Sequence, residues 1–563
     1  MPATIPSMLR VTLAALTAVA ASTQPLGRDY GRSMVISRQG IAATSQVLAS
    51  TAAAQILEKG GSAVDAAIAA NAVLAVTEPM MDGIGGDLFA MYWDAQSGKL
   101  TALNSSGPAA RALTPAFLAS HGIHDKMPVH GIHTVTVPGA VRGWAAMHSR
   151  YGKLPWRDLF TAAIAYARDG YPVPEVLAAI WSLDSSVKVL ESNSETARVF
   201  LPGGKPPKLG EIFRNPELAH TLEIIAAKGP DAFYRGEIAS SLLATSHKLG
   251  GTLTAEDLAA FKPEWVEPVS STYRGWRVYE MPPNDQGMAA LEMLNIMETF
   301  EPSPEGPLSA QEMHKRIEAM KLAYADLAHY NADPRFAHVP VTGLLAKPYA
   351  AERAALIDPN KANCDVRNGT PVRGDTTYLA VVDRDGNIAS WIQSISGTFG
   401  SGVTVEGRGI LLQNRGALFS LDPKSPNILA GGKRPFHTII PAFMEKGDIH
   451  IGFGIMGGPN QPLAHAQFVS NIVDYGMNIQ AALEEARFTK PTAHGCDVTI
   501  ESRVPETTLQ QLSERGHQIQ IARPYTSQMG RGNAVLHDSA TRVNYAASDP
   551  RADGAAVPEL PAH

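Results

Sequence analysis

Asp375-Thr376-Thr377-Tyr378-Leu379-Ala380-Val381-Val382, followed by Arg384-Asp385-Gly386 and then the run Ile388 to Ile395, is the stretch whose reading decides the fold. The β-branched and aromatic residues of Tyr378–Val382 and 388–395 predict two strands. Arg384-Asp385-Gly386 between them predicts a hairpin, with Gly386 supplying the positive φ that such a turn needs. A three-residue loop puts Asp383 opposite Asn387 and, counting back, Thr376 opposite Ser394. A two-residue loop would instead set Ser394 against Thr377. Either register brings a hydroxyl to the side of Thr376, at the cross-strand spacing of about 5 Å. On its own such a pair is also a common packing feature of sheets.

Outward from the hairpin, Lys361 to Asp375 is polar, contains Gly and Pro, and shows no periodicity. It predicts an exposed, flexible segment ahead of Thr376. Upstream, helical signals dominate. Ile56 and Leu57 precede the stop Gly60-Gly61. Ser62 and Asp65 form a capping-box pattern before an Ala-rich helix that runs to Val76. Asn215-Pro216 and Thr254 to Asp257 mark two more helix starts. Met313, Ile317, Met320, Tyr324 and Leu327 recur at helical spacing and predict one buried stripe.

Downstream, Gly457-Gly458 stands after an apolar run, in Gly452-Phe453-Gly454-Ile455-Met456-Gly457-Gly458-Pro459. Adjacent glycines can turn successive N–H groups toward one point, as an oxyanion hole requires; a plain glycine turn is the alternative. Gly85-Gly86 is expected to serve close backbone packing.

The chain of 563 residues, 45% hydrophobic and 18% charged, is ordinary for a folded protein, and its formal charge of −6 argues against a nucleic-acid partner. Two cysteines, Cys364 and Cys496, lack metal-ligand spacing, so no metal site and no cofactor are expected. Their plain reading is two separate thiols, although a bridge is open if the fold brings their Cα atoms together. Arg10, the apolar run Val11 to Ala21 and the small-residue exit Ala18-Val19-Ala20 resemble a signal peptide over residues 1–24, too short to span a bilayer. That predicts a periplasmic or secreted protein with no integral membrane span; an unstructured extension is the alternative.

Several motifs in order resemble the γ-glutamyltransferase family. They are Gly61-Ser62-Ala63-Val64-Asp65-Ala66-Ala67, Gly83-Ile84-Gly85-Gly86-Asp87 and Glu318 to Asp326. They continue with Gly374-Asp375-Thr376-Thr377, Lys433-Arg434-Pro435 and Ala547-Ser548-Asp549-Pro550-Arg551. The resemblance implies an α+β fold, the Ntn-hydrolase αββα four-layer sandwich. It also implies a precursor that cuts itself before Thr376. Residues 25–375 would form a large subunit and residues 376–563 a small one, and the two would stay associated. By the same resemblance Thr376 is the nucleophile, Ser394 the hydroxyl that assists it, and Gly457 and Gly458 the oxyanion pair.

The substrate positions depart from the family pattern. Ser106 stands where glutathione-cleaving members have the Arg that grips the α-carboxylate, and Arg111 lies beyond Pro108. Leu418 replaces the acid that holds the α-ammonium, and Arg415 the amide that assists it. His437 and Thr438 replace a Ser pair, Ser396 replaces an Asn, and the segment between Phe419 and Lys433 is short. A zwitterionic head group would lose both partners and be desolvated uncompensated. Two substrate classes of small amide or peptide follow. One is the γ-glutamyl amides of the family; the other is glutaryl-type or other small acyl amides without an α-amino group, with Arg415, alone or with His437, as the candidate replacement anion anchor. A secreted scaffold that keeps the fold without catalysis is a third possibility, and cleavage before Thr376 tells it apart.

Overall fold

The computed structural model describes residues 28–366, 375–490 and 495–561. The expected leader, residues 367–374 of the polar segment and the side chain of Asp375 lie outside the described residues.

The hairpin forms with the three-residue loop. Asp383 N–H donates to Asn387 O at 3.0 Å and Gly386 has φ +86°. The strand Asp375–Val382 pairs antiparallel with Ile388–Ser396, from Thr377 opposite Gln393 to Val382 opposite Ile388. A bulge between Asp375 and Thr377 shifts the last pair, so Asp375 faces Ser396.

This hairpin is the centre of a seven-stranded antiparallel sheet. Its order is Ala555–Pro558, Ile41–Thr44, Asp375–Val382, Ile388–Ser396, Asp87–Asp94, Lys99–Ser105 and Glu264–Val266. A second seven-stranded antiparallel sheet stacks on it, in the order Val35–Ser37, Val543–Ser548, Arg531–Asp538, Ile449–Met456, Ala442–Lys446, Trp276–Glu280 and Val269–Tyr273. Both sheets take strands from before and after residue 376, so a break there would leave the two parts interlocked.

Period-two alternation sorts the side chains into layers. Tyr378, Ala380 and Val382 join Ile388 and Ile392 between the sheets, with Phe443, Met456 and Val535 of the second sheet. Leu379, Val381, Ala389 and Trp391 point the other way, onto the helices Val47–Glu58 and Ala63–Thr77. On the far side Gly287–Glu298, Ala310–Tyr330 and Gln461–Val473 cover the second sheet. The result is the expected helix–sheet–sheet–helix sandwich.

Local signals behave as read. Ser62 and Asp65 form a reciprocal capping box on Ala63–Thr77, every residue of which is buried. Asn215 caps Pro216–Lys228, and Thr254 caps Ala255–Ala260. Met313, Ile317, Met320 and Leu327 lie in the helix–sheet core with Tyr324 packed against it.

The expectation of separate thiols is corrected. Cys364 and Cys496 form a disulfide with their Cα atoms 4.9 Å apart, across 132 residues of sequence. Hydrogen bonds from Ala362 N–H to Arg515 O and from Gln518 N–H to Cys496 O, each 2.7 Å, bring the two segments together. No local pattern announces such a pairing.

Gly86 packs directly against the hairpin. A Cβ there would lie 2.3 Å from Ser394 O. Gly86→Ala should therefore displace the Ser394 backbone and cost about 1–3 kcal/mol, read as a lower urea midpoint; an unchanged midpoint would show that the contact yields freely.

Candidate active site

The alternation that builds the core also aims the hydroxyls. Thr376 and Ser394 share the parity of the residues between the sheets, and Thr376 Oγ1 donates to Ser394 Oγ at 3.4 Å. Ser394 Oγ in turn accepts from Ser396 N–H at 2.8 Å. Ser396 has φ +82°, so the strand ends in a tight turn that folds this N–H back on the Ser394 hydroxyl. Both hydroxyl side chains are fully buried.

On the opposite face, Thr377 Oγ1 and Gln393 Nε2 donate to Asp82 at 3.0 and 2.7 Å. Asn71 and the Gly83 N–H add 2.8 and 2.7 Å bonds to the same carboxylate. Burial pushes Asp82 up to about 7 against the pull of those four donors. Asp82 thus holds the floor beneath the hairpin end.

The Gly457-Gly458 turn follows the central strand Ile449–Met456 of the second sheet. Gly457 has φ +141° and Gly458 φ +60°, conformations that side chains rarely tolerate. Their N–H groups donate to no described turn, cap or side chain. Immediately after them, Gln461 opens the helix Gln461–Val473, and its Nε2 donates to Thr376 Oγ1 at 3.4 Å. Sequence reading missed Gln461; its place directly behind the glycine pair was the available signal.

The substrate-position residues fall into two groups. Arg415, His437 and Thr438 converge. Arg415 lies wholly buried at the start of the short helical turn Arg415–Leu418, and its Nη1 donates to Thr438 Oγ1 at 2.8 Å. Its Nε and Nη2 have no hydrogen-bond partner among the described residues. Burial pulls Arg415 down to about 9, so it stays a cation at neutral pH, and the nearby Asp87 opposes that shift. Gln286 Nε2 spans Thr438 O and Gly458 O, at 2.6 and 2.8 Å, which joins the Arg415 corner to the glycine turn.

Asp87, also missed, is the hub of this corner. Its Oδ1 accepts from Gly107 N–H, Gly139 N–H and Gln413 Nε2, each at 3.0 Å. Its Oδ2 accepts from His437 Nε2 at 3.2 Å. Ile439 N–H points at His437 Nδ1 from 3.5 Å, consistent with a neutral ring protonated on Nε2. Burial, Arg415 and Arg434 hold His437 well below its ordinary value. Burial pushes Asp87 up to about 7, with Arg415 the strongest opposing influence.

Ser106 and Leu418 are placed otherwise. Ser106 is buried, its hydroxyl donating to Asn104 Oδ1 at 2.7 Å, and Arg434 Nε takes its carbonyl at 2.9 Å. Leu418 is half-buried and offers only its carbonyl, to Asn427 Nδ2 at 2.7 Å. Arg111 is exposed beside Asp257. The short segment after Phe419 folds on itself through a Ser420–Ile428 bridge and bonds from Lys433 Nζ to Pro426 O and Ile428 O.

Comparison with known proteins gives the family. Residues 49–559 match the family described as Gamma-glutamyltranspeptidase. The chain belongs to the γ-glutamyltranspeptidase family. It is 38% identical to the glutathione hydrolase-like YwrD proenzyme of Bacillus subtilis over 93% of this chain and 99% of that one. It is 34% identical to the glutathione hydrolase proenzyme of Escherichia coli, over 92% and 91% of the two chains. The solved cephalosporin acylase from Bacillus halodurans superposes with a TM-score of 0.88 at 42% identity, covering 96% of this chain and all of that one. The γ-glutamyltranspeptidase-family chain is therefore an Ntn hydrolase, and the names of its relatives span glutathione hydrolases and acylases.

Asp87→Ala should strand four buried N–H donors and leave Arg415 without its nearest opposing charge, costing about 3–5 kcal/mol. Asp87→Asn keeps one acceptor oxygen and should cost clearly less. Equal urea midpoints for the two variants would remove Asp87 from the centre of this network.

Proposed function

We propose that the chain is a self-processing N-terminal-threonine amidase whose acyl substrate carries a carboxylate but needs no α-amino group. The observation that carries this reading is Arg415: a fully buried cation with Nε and Nη2 unpartnered among the described residues, one short chain of bonds from the Gly458 turn. A buried guanidinium whose Nε and Nη2 meet no partner among the described residues suits a planar carboxylate. At Leu418, where a glutathione-cleaving relative carries an acid, this chain has no group for an ammonium.

Cleavage before Thr376 frees its α-amine, whose ordinary pKa of roughly 7.7–8.0 suits a general base near neutral pH. The amine takes the Oγ1 proton as Oγ1 attacks the amide carbon. The N–H groups of Gly457 and Gly458 are supplied for the resulting oxyanion. As the C–N bond breaks, the proton passes to the leaving amine; water then resolves the acyl ester. Ser394 holds Oγ1 in line throughout. The glycine-pair N–H groups, which donate to no described turn, cap or side chain, and the Thr376–Ser394 bond support these roles.

No described helix is long and apolar enough to cross a membrane. The disulfide favours an oxidising compartment, in keeping with the leader-like N-terminus. Cys364 and Cys496 fall on opposite sides of the proposed cut. A gel without reductant should then show one band, and with reductant two, the smaller beginning at Thr376. Thr376→Ala should remain one chain under both conditions and be inactive, and Ser394→Ala should slow maturation or turnover roughly tenfold to a hundredfold. One band for the parent protein in reductant sinks the cut; two bands without it sink the bridge across the subunits.

Specificity is tested with anilides. Glutaryl anilide should be used better than its γ-glutamyl counterpart, and Arg415→Ala should raise KM for the glutaryl compound with less effect on a neutral acyl anilide. Asp87, raised to about 7, adds a pH signature. Above that value its charge offsets Arg415; below it the carboxyl is neutral and the guanidinium field is free for substrate. The glutaryl-to-neutral ratio of kcat/KM should therefore rise as pH falls from 8 to 6. Strict dependence on the α-amino group of glutathione overturns this assignment.

A further inference from the structure

Gln461 has no part in the sequence reading, yet it is the side chain that connects the glycine turn to Thr376. It is fully buried. Its Oε1 accepts from the Ile440 N–H at 3.1 Å. A backbone N–H can only donate, so this bond fixes the carboxamide orientation: the oxygen faces Ile440 and the NH2 must face Thr376. Nε2 accordingly donates to Thr376 Oγ1 at 3.4 Å. The same oxygen donates toward Ser394 Oγ, which is already taken by the Ser396 N–H. Thr376 Oγ1 thus has one neighbour placed to accept its proton direction and another placed to donate to its lone pair.

A donor at Oγ1 helps most when that oxygen gathers negative charge. This happens when the acyl ester breaks: water gives a proton to the α-amine as its oxygen bonds to the acyl carbon, the C–Oγ1 bond parts, its electron pair stays on Oγ1, and Oγ1 recovers a proton from the α-ammonium so formed. It happens again in maturation, when the ester formed between Oγ1 and the carbonyl of residue 375 is hydrolysed. We infer that Gln461 is a catalytic residue that donates to Thr376 Oγ1 as this oxygen leaves, in ester hydrolysis during both maturation and turnover. The inference rests on Thr376 as the nucleophile.

Gln461→Glu separates this role from a structural one. The substitution keeps an oxygen for Ile440 N–H but, assayed above neutral pH where the new carboxyl is ionised, sets an acceptor-only carboxylate against Oγ1. If Gln461 merely holds Ile440, Q461E behaves as the parent does. If it donates, deacylation slows about tenfold or more, and a burst of the first product appears ahead of a slower steady state. The new carboxylate also favours the protonated α-amine, so the acid limb of the kcat/KM profile moves to higher pH. Should Q461E stay uncut, hydroxylamine supplies the readout. It attacks the accumulated ester directly and should split the Q461E chain but not Thr376→Ala, with urea midpoints checking that both are folded. Parent-like rates with an unmoved pH profile overturn the proposal, as does a folded, uncut Q461E chain that hydroxylamine leaves intact. Parent subunits that do not begin at Thr376 would instead overturn the nucleophile assignment itself.

Discussion

A single buried carboxylate, Asp87, holds the Arg415 end of the candidate site together. It draws N–H donors from four separated segments: the exits at Gly107 and Gly139, Gln413 just before Arg415, and His437. In a dry interior each of those donors would be costly if left unmet, so the four segments are fixed relative to one another by one charge. The same bonds explain Arg415. Both oxygens of Asp87 are occupied, so the carboxylate gives the guanidinium an opposing field without a hydrogen bond, and Nε and Nη2 remain unclaimed among the described residues. A conventional ion pair would have satisfied Arg415 and closed it to a ligand.

The Thr376 end depends on a different constraint, the two-residue period of the sheet. Thr376 and Thr377 are neighbours in sequence but face opposite layers. One meets Ser394 and Gln461 between the sheets; the other meets Asp82 and Gln393 on the helix side. A one-residue slip would exchange them and bury Thr376 against Asp82. Gly86, whose missing side chain lets the backbone close on Ser394 O, and the bulge before Thr377 pin the register at this end.

Much of this was legible because it is local. The loop Arg384-Asp385-Gly386 narrows the register of its own hairpin to two choices, either of which brings Ser394 to the side of Thr376, before any tertiary contact is known. Caps at Ser62, Asn215 and Thr254 are read over three residues, and the stripe from Met313 to Leu327 over four turns. The unread parts are long-range. Gln461 reaches Thr376 across 85 positions, and Cys364 meets Cys496 across 132. Asp87 was visible only as the end of a glycine motif; nothing nearby in sequence says that four donors will converge on it. The departures at Ser106, Leu418 and Arg415 were visible as residue types, but only geometry shows that Ser106 is tied up with Asn104 while Arg415 is left open.

That contrast bears on how a family changes substrate while keeping its chemistry. The hairpin, the glycine turn and the packing at Gly86 are coupled to the core of both sheets, so changing them costs stability. The head-group corner is coupled chiefly to Asp87, and its charge can be rearranged while the hub persists. A γ-glutamyl head brings an ammonium along with its carboxylate. Beside the buried Arg415 that ammonium meets a like charge in a poorly screened interior, with only a leucine where an acid would be needed. A glutaryl-type group brings the carboxylate alone. Under the proposed reading, removing one acid and one arginine while burying another does more than weaken the ancestral clamp: it makes the α-amino group itself a penalty, which is how a site discriminates strongly by charge rather than by shape.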